Sequence, residues 1–231
     1  MKQEFILSFL TKQKPPRKQF VNHLIELTDL VNDDTPGGRY YTTPEGNVYP
    51  SVTTIINRKT DHSWVEEWHK RVGKEEAQKI LHQAGVRGSA IHKLAENYVL
   101  NHENYEDGSM PVNIASFNTI KKFLDDNLEA VYGSELALYS DELKVAGRTD
   151  LVGKYKGKTS IIDFKTSRKI KTAEDIPNYF IQISCYAEMF YERVGVKITQ
   201  GVILMCIDHE DPKEFVVNIA DWRDKMLKIF S

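Results

Sequence analysis

The hydrophobic period of this chain changes just before Glu135, and that change limits its folds more than any other feature. Ahead of it, the apolar positions Trp64, Val65, Trp68, Val72, Ala77, Ile80 and Leu81 recur at helical spacing, with a break at Gly73. Further helical patterns run from residue 88 to about 100 and from 113 to about 132, separated by turn signals at Asp107-Gly108 and Pro111. Beyond the change, residues 135–139, 144–155 and 159–165 read as short strands bounded by turn residues. Helix returns from 176 to about 193, where Ile176, Tyr179, Phe180, Ile183, Ala187 and Phe190 form one stripe. Residues 201–208 are a nearly continuous apolar run, as expected of a strand covered on both faces, followed by an edge strand at 214–219 and a helix from Asp221. The core order of helix, three strands, helix, two strands, helix is that of an α/β domain.

The first 60 residues carry no such pattern. A basic, proline-broken stretch (Lys12, Lys14, Pro15, Pro16, Arg17, Lys18) and turns at Thr35-Pro36-Gly37-Gly38 and Pro44-Glu45-Gly46 mark residues 1–60 as an irregular arm with short elements, packed on a domain spanning 61–231. With 41% hydrophobic and 28% charged residues, the chain is neither disordered, collagenous nor a coiled coil. Its formal charge of −2 excludes a polycation, so a nucleic-acid site must be a local patch. Cys185 and Cys206 sit in apolar stretches without C-x-x-C spacing, which points to a reducing compartment and excludes a four-cysteine zinc or iron–sulfur site. Residues 1–10 lack the features of a signal peptide, and no apolar run approaches the roughly 20 residues of a membrane span. The expected location is cytoplasmic, in a bacterial or phage-infected cell, with no membrane partner.

Chemistry concentrates between residues 144 and 171. A tight turn centred on Lys156-Gly157 places Asp150 directly opposite Asp163 in an antiparallel hairpin, unless a bulge shifts the register by one. Directly opposed Cβ atoms lie about 5 Å apart, and like charges there are destabilising unless something compensates. A divalent metal ion held by the two carboxylates does so, and oxygen ligands suit Mg²⁺ or Mn²⁺. Lys165 shares the face of Asp163, while Leu151, Ile162 and Phe164 point the other way. Asp, Asp and Lys on one face suit phosphodiester hydrolysis: the metal polarises the phosphate and acidifies a water, and the lysine orients that water or stabilises the developing charge. The same register sets Arg148 opposite Lys165, where it could hold a phosphate oxygen. The alternative is a solvated outer face on which Asp and Lys merely neutralise each other. Seven basic residues against one acidic residue between 154 and 171 are the footprint of a groove for a phosphate backbone, or else of an ordinary solvated surface. Arg87, Arg148, Thr166, Ser167, Arg168 and Lys169 are the expected DNA contacts.

The helices supply supporting candidates. His92 and Glu96 lie one turn apart, and a neutral His92 imidazole could add a nitrogen ligand. Glu135 opens the first strand and could reach the site through a water. Gln182 and Tyr186, spaced i, i+4 on a face other than the apolar stripe, could contact DNA or order Lys165. Each has a plainer reading as an ordinary surface or core residue.

Gly88-Ser89-Ala90-Ile91-His92 with Glu96, Gly147-Arg148-Thr149-Asp150, Asp163-Phe164-Lys165 and Gln182-x-x-x-Tyr186, in this order, resemble the motifs of the PD-(D/E)XK nuclease superfamily, in particular its RecB-like branch. Within the branch, Tyr49-Pro50-Ser51-Val52-Thr53-Thr54-Ile55 and Ile162-Asp163-Phe164-Lys165-Thr166-Ser167 look most like the group of mitochondrial genome maintenance exonucleases with their phage and bacterial relatives. The resemblance covers roughly residue 47 onward. It implies a restriction-endonuclease-like core, a central mixed sheet flanked by helices, with an N-terminal helical embellishment. It further implies a Mg²⁺- or Mn²⁺-dependent exonuclease that degrades single-stranded DNA from free ends in replication, repair or recombination. His92, Asp150 and Asp163 would be its metal ligands, and Lys165, with Asp150 and Asp163, its catalytic set. Some members of the branch carry an iron–sulfur cluster on four cysteines, which this chain cannot build. No G-x-x-x-x-G-K-[ST] loop occurs, so the enzyme would act alone or with partners that unwind the duplex, such as a helicase or single-strand-binding protein. The strand would enter between the N-terminal helices and the sheet, its bases stacking on aromatics such as Tyr40, Tyr49 or Trp64. Alternative readings are a structure-selective flap endonuclease, and a non-catalytic DNA-binding or assembly factor on the same fold.

Overall fold

The computed structural model describes residues 17–230. The residues from Lys12 to Pro16, and the opening ten, lie outside the described residues. After a short strand β1 (Val21–Asn22), the strands β2 (Val31–Thr35), β3 (Gly38–Thr42) and β4 (Val48–Pro50) form a small antiparallel sheet of their own. Helices α1 (Val52–Lys59), α2 (Ser63–Val72), α3 (Lys74–Val99) and α4 (Pro111–Asn127) follow, then strands β5 (Leu128–Ser140), β6 (Val145–Tyr155) and β7 (Lys158–Ser167). Helix α5 (Pro177–Val194) crosses to β8 (Gln200–Ile207), β9 (Lys213–Asn218) and α6 (Ala220–Phe230) close the chain, and none of these helices is long and apolar enough to cross a membrane.

Local sequence explains most boundaries. Ser51 caps α1, its hydroxyl accepting the Thr54 N–H at 3.0 Å. Gly73 (φ 84°) separates α2 from α3 and Gly195 (φ 76°) ends α5, both in the left-handed region open to glycine. Two helical expectations are corrected. The pattern at 88–100 is the last part of one long helix, α3, which carries Gly85 and Gly88 internally because burial of Ile91, Leu94, Ala95, Tyr98 and Val99 outweighs about 1 kcal/mol of propensity per glycine. The helix expected to reach residue 132 stops at Asn127, because Ala130 and Val131 pair with strands on both sides, β1 and β6.

The main sheet runs β1-β5-β6-β7-β8-β9, mixed in direction: β1 is parallel to β5 and β7 to β8, and the other neighbours are antiparallel. Alternation along the strands splits the core into two layers. Val202, Leu204 and Cys206 pack with Leu151, Ile162 and Phe164 against α3 and α4, while Ile203, Met205 and Ile207 face α5 and α6. The arm contributes to both layers, Phe20 to the first and Val52 and Ile56 to the second. The carbonyls that end α3 and α4 accept from the arm's Arg17 and Lys18, cations where the helix dipole is negative.

Candidate active site

The hairpin β6–β7 turns at Lys156 and Gly157 (φ 50° and 79°) and pairs from Tyr155 with Lys158 to Leu151 with Ile162, the expected register. The next rung would join Asp150 to Asp163, and there the ladder stops. Asp150 Oδ2 instead accepts the Phe164 N–H at 2.8 Å, and the Phe164 carbonyl lies 2.9 Å from His92 Nε2. The strands therefore part where the acidic side chains begin, and α3 fills the opening with an imidazole. On the other side of β6, the pairs Ser134 with Leu151 and Leu136 with Thr149 bracket Glu135 and Asp150, setting them across from each other. Glu135, Asp150 and Asp163 thus form one row across three neighbouring strands.

A carbonyl only accepts, so His92 Nε2 carries the hydrogen in the bond to Phe164. In the neutral ring, Nδ1 then presents its lone pair toward Asp150, with Oδ1 at 3.6 Å. Potential ligand atoms of His92, Glu135 and Asp150 lie within 4.8 Å of one another. Burial, reinforced by the charge of Asp163, pushes the Asp150 carboxyl up to about 7 despite His92, Lys165 and the Phe164 N–H. Burial also raises Glu135. Lone pairs and acids converge here in a field that a cation would relieve, and a mixed nitrogen–oxygen donor set fits a divalent ion.

Asp163, 1% exposed, is placed differently from the other two acids: it ion-pairs with Lys165 and accepts from Gln182 Nε2 at 3.3 Å. For Lys165, burial acts to lower the pKa, but the charges of Asp163 and Asp150 outweigh it and raise it, so the ammonium stays charged. Gln182 and Tyr186 do not lie on a face apart from the apolar stripe. Both are buried, because α5 is covered almost all round from Phe180 to Ala187, and Gln182 is turned onto Asp163. Tyr186 lies so close to Gly147 that a Cβ there would sit 3.0 Å from its Oη.

The remaining candidates scatter. Arg148 is not opposite Lys165, since the β6–β7 ladder ends first; its Nη1 donates to the Glu135 carbonyl at 2.8 Å and its Nη2 pairs with Asp29. Glu96 pairs with Lys93 at 2.9 Å, and Arg87 with Asp208. Arg87, Thr166, Ser167 and Arg168 line a cleft of about 1280 Å³ between α3, α4 and the end of β7, and the Ser167 hydroxyl donates to the Lys169 carbonyl at 2.6 Å. The basic run is not one groove. Lys154 and Lys156 sit at the hairpin's far end, paired with Glu129 and Glu214, while Lys165 is spent on Asp163. Tyr49 is buried with its hydroxyl on Asp141 at 2.7 Å, which leaves no ring face for stacking, and half-buried Tyr40 accepts from Arg58 at 2.6 Å. The side chain of Trp64 lies outside the described part of the structure. The residue that sequence reasoning undervalues is Glu135, which belongs to the row itself. The turn at 141–144 carries the signal, because it sets the β5–β6 register as Lys156-Gly157 sets the next.

The sequence profile of the PD-(D/E)XK nuclease superfamily matches residues 62–228. Mitochondrial genome maintenance exonuclease 1 of Mus musculus is 28% identical over 132 residues, 54% of this chain and 39% of that protein. The Homo sapiens protein of the same name is 23% identical over 166 residues, 69% of this chain and 48% of its own length. The chain therefore spans less than half the length of either relative. A crystal structure of an exonuclease candidate from Eubacterium rectale aligns with a TM-score of 0.43 at 16% identity, covering 64% of this chain and 63% of that one.

Proposed function

Because the chain belongs to the PD-(D/E)XK nuclease superfamily, we propose that it is a divalent-metal-dependent exonuclease that hydrolyses single-stranded DNA from free ends. The observation that carries this reading is the row of Glu135, Asp150 and Asp163, faced by His92 Nδ1 at 3.6 Å from Asp150 Oδ1 and flanked by Lys165. His92, Glu135 and Asp150 would hold the ion, Mg²⁺ or Mn²⁺, with Asp163 as a further oxygen donor beside them. When bound, such an ion polarises a phosphodiester and lowers the pKa of a water. The chain's own residues do the rest. The Phe164 carbonyl fixes the ring of His92, Gln182 and Lys165 fix Asp163, and the ammonium of Lys165 presents positive charge where a phosphate would accumulate negative charge. With its charge favoured by the neighbouring aspartates, Lys165 serves as an electrostatic stabiliser and water-orienting donor. The DNA preference, the use of free ends and a role in replication, repair or recombination are supported by the names of the relatives and by the resemblance of motifs; a helicase or single-strand-binding partner follows from the motif reading alone.

The test is degradation of end-labelled linear single-stranded DNA beside a circular control, with Mg²⁺, Mn²⁺ or EDTA. Linear DNA should be lost only with metal, and Lys165→Ala and Asp150→Asn should each lower the rate by at least about 10³-fold. Cutting of the circle would replace the exonuclease by an endonuclease, and metal-independent cutting would remove the assignment of the acidic row.

A further inference from the structure

The rung between Glu135 and Asp150 is skipped in the β5–β6 ladder, and Glu135 has φ 50°, a left-handed conformation that a non-glycine residue keeps only when its surroundings impose it. The group that meets its carbonyl is Arg148, whose Nη1 donates at 2.8 Å, while Nη2 is held by Asp29 of the segment between β1 and β2. Asp29 is itself anchored, its Oδ1 accepting the Leu30 N–H at 2.8 Å. A guanidinium can span the two acceptors because its donors form a rigid planar fork; a lysine ammonium has no such reach in two directions. Both terminal nitrogens of the guanidinium therefore have protein acceptors, the Glu135 carbonyl and the exposed Asp29 carboxylate.

We propose that Arg148 is a positioning residue: braced by Asp29, it clamps the left-handed backbone of Glu135 and so aims that carboxylate at His92 and Asp150. The inference rests on the reading of these three residues as a metal site. It gives the N-terminal arm a part in the site, since Asp29 reaches the metal ligands through Arg148.

The experiment is Mn²⁺ binding without DNA, by electron paramagnetic resonance of the free ion, for the wild type, Arg148→Ala, Arg148→Lys, Asp29→Ala and Glu135→Gln, with single-stranded DNA affinity in EDTA measured alongside. Arg148→Ala should weaken Mn²⁺ binding about 10- to 100-fold, the range for outer partners of metal ligands, and leave DNA affinity in EDTA unchanged. Arg148→Lys should not restore it. Asp29→Ala, at an exposed position that leaves folding intact, should weaken it a few-fold. In a Glu135→Gln background, Arg148→Ala should have little further effect, because both act through one carboxylate. Unchanged Mn²⁺ binding in Arg148→Ala and Asp29→Ala overturns the proposal. So does a loss of DNA affinity with Mn²⁺ binding intact, which would make Arg148 a phosphate contact. If the wild type itself binds no Mn²⁺, the metal-site reading falls first and the clamp with it.

Discussion

Asp150 shows how one side chain serves both the fold and the site. Its carboxylate replaces a missing ladder partner for the Phe164 N–H, yet burial and the charge of Asp163 push it up to about 7. A carboxyl whose folded pKa lies above its unfolded value stabilises the protein below the unfolded pKa, and that contribution is lost as pH rises through the folded one. In EDTA, the wild type should therefore lose stability relative to Asp150→Asn between about pH 4 and pH 7, by up to a few kcal/mol at about 1.4 kcal/mol per unit. Chemical denaturation of both proteins across that range measures it. A gap that does not widen toward neutral pH would show that Asp150 ionises without cost, and added Mn²⁺ should narrow it. Asp150, Asp163 and Lys165 are legible in the sequence because alternation and one turn fix their faces. Glu135 is harder to read because a left-handed residue within a strand leaves no mark in the hydrophobic pattern.

Among the elements, the hairpins are what align the acids, and β5 reaches its register through two bulges, between Leu128 and Ala130 and between Val131 and Gly133. At the first, Gly153 on β6 lies so close that a Cβ would sit 2.6 Å from the Ala130 carbonyl oxygen, a backbone atom with no rotamer to escape to. Gly153→Ala should cost about 1–3 kcal/mol by thermal or denaturant unfolding. A neutral or stabilising result would mean that β5 can slide there freely. The hairpin strands β6 and β7 are readable because turn residues bound them, and α5 because one helical stripe marks it. The 128–132 stretch misleads because its apolar positions satisfy helical and strand spacing alike, and only pairing with β1 and β6 decides between them. The burial of Gln182 and Tyr186 is hidden for a related reason: a helix covered on all sides carries polar groups inward when a buried acid such as Asp163 needs a donor.

Over the whole molecule, positive charge divides into two regions that the linear sequence merges. Lys154 and Lys156 are neutralised at the far end of the hairpin, whereas Arg168, Lys169 and Lys171 follow the other end of β7, where Arg168 lines the cleft. Replacing Lys154 and Lys156 by alanine should leave single-stranded DNA affinity unchanged. Replacing Arg168, Lys169 and Lys171 should weaken it and reduce the slope of log K against log salt by about 0.7 for each phosphate that is no longer neutralised. Binding titrations across salt concentrations separate the two groups, and equal effects would return the basic run to a single groove. The row of acids has one more implication, for the life of the chain before it is finished. Glu135, Asp150 and Asp163 come from three strands, and a one-residue slip in either hairpin would turn an acid to the opposite face. A growing or partly collapsed chain cannot assemble the row until β7, with Lys165, has left the ribosome and docked. Under the proposed function, cutting during refolding should not appear before β5, β6 and β7 have paired, and following activity and sheet formation together checks this.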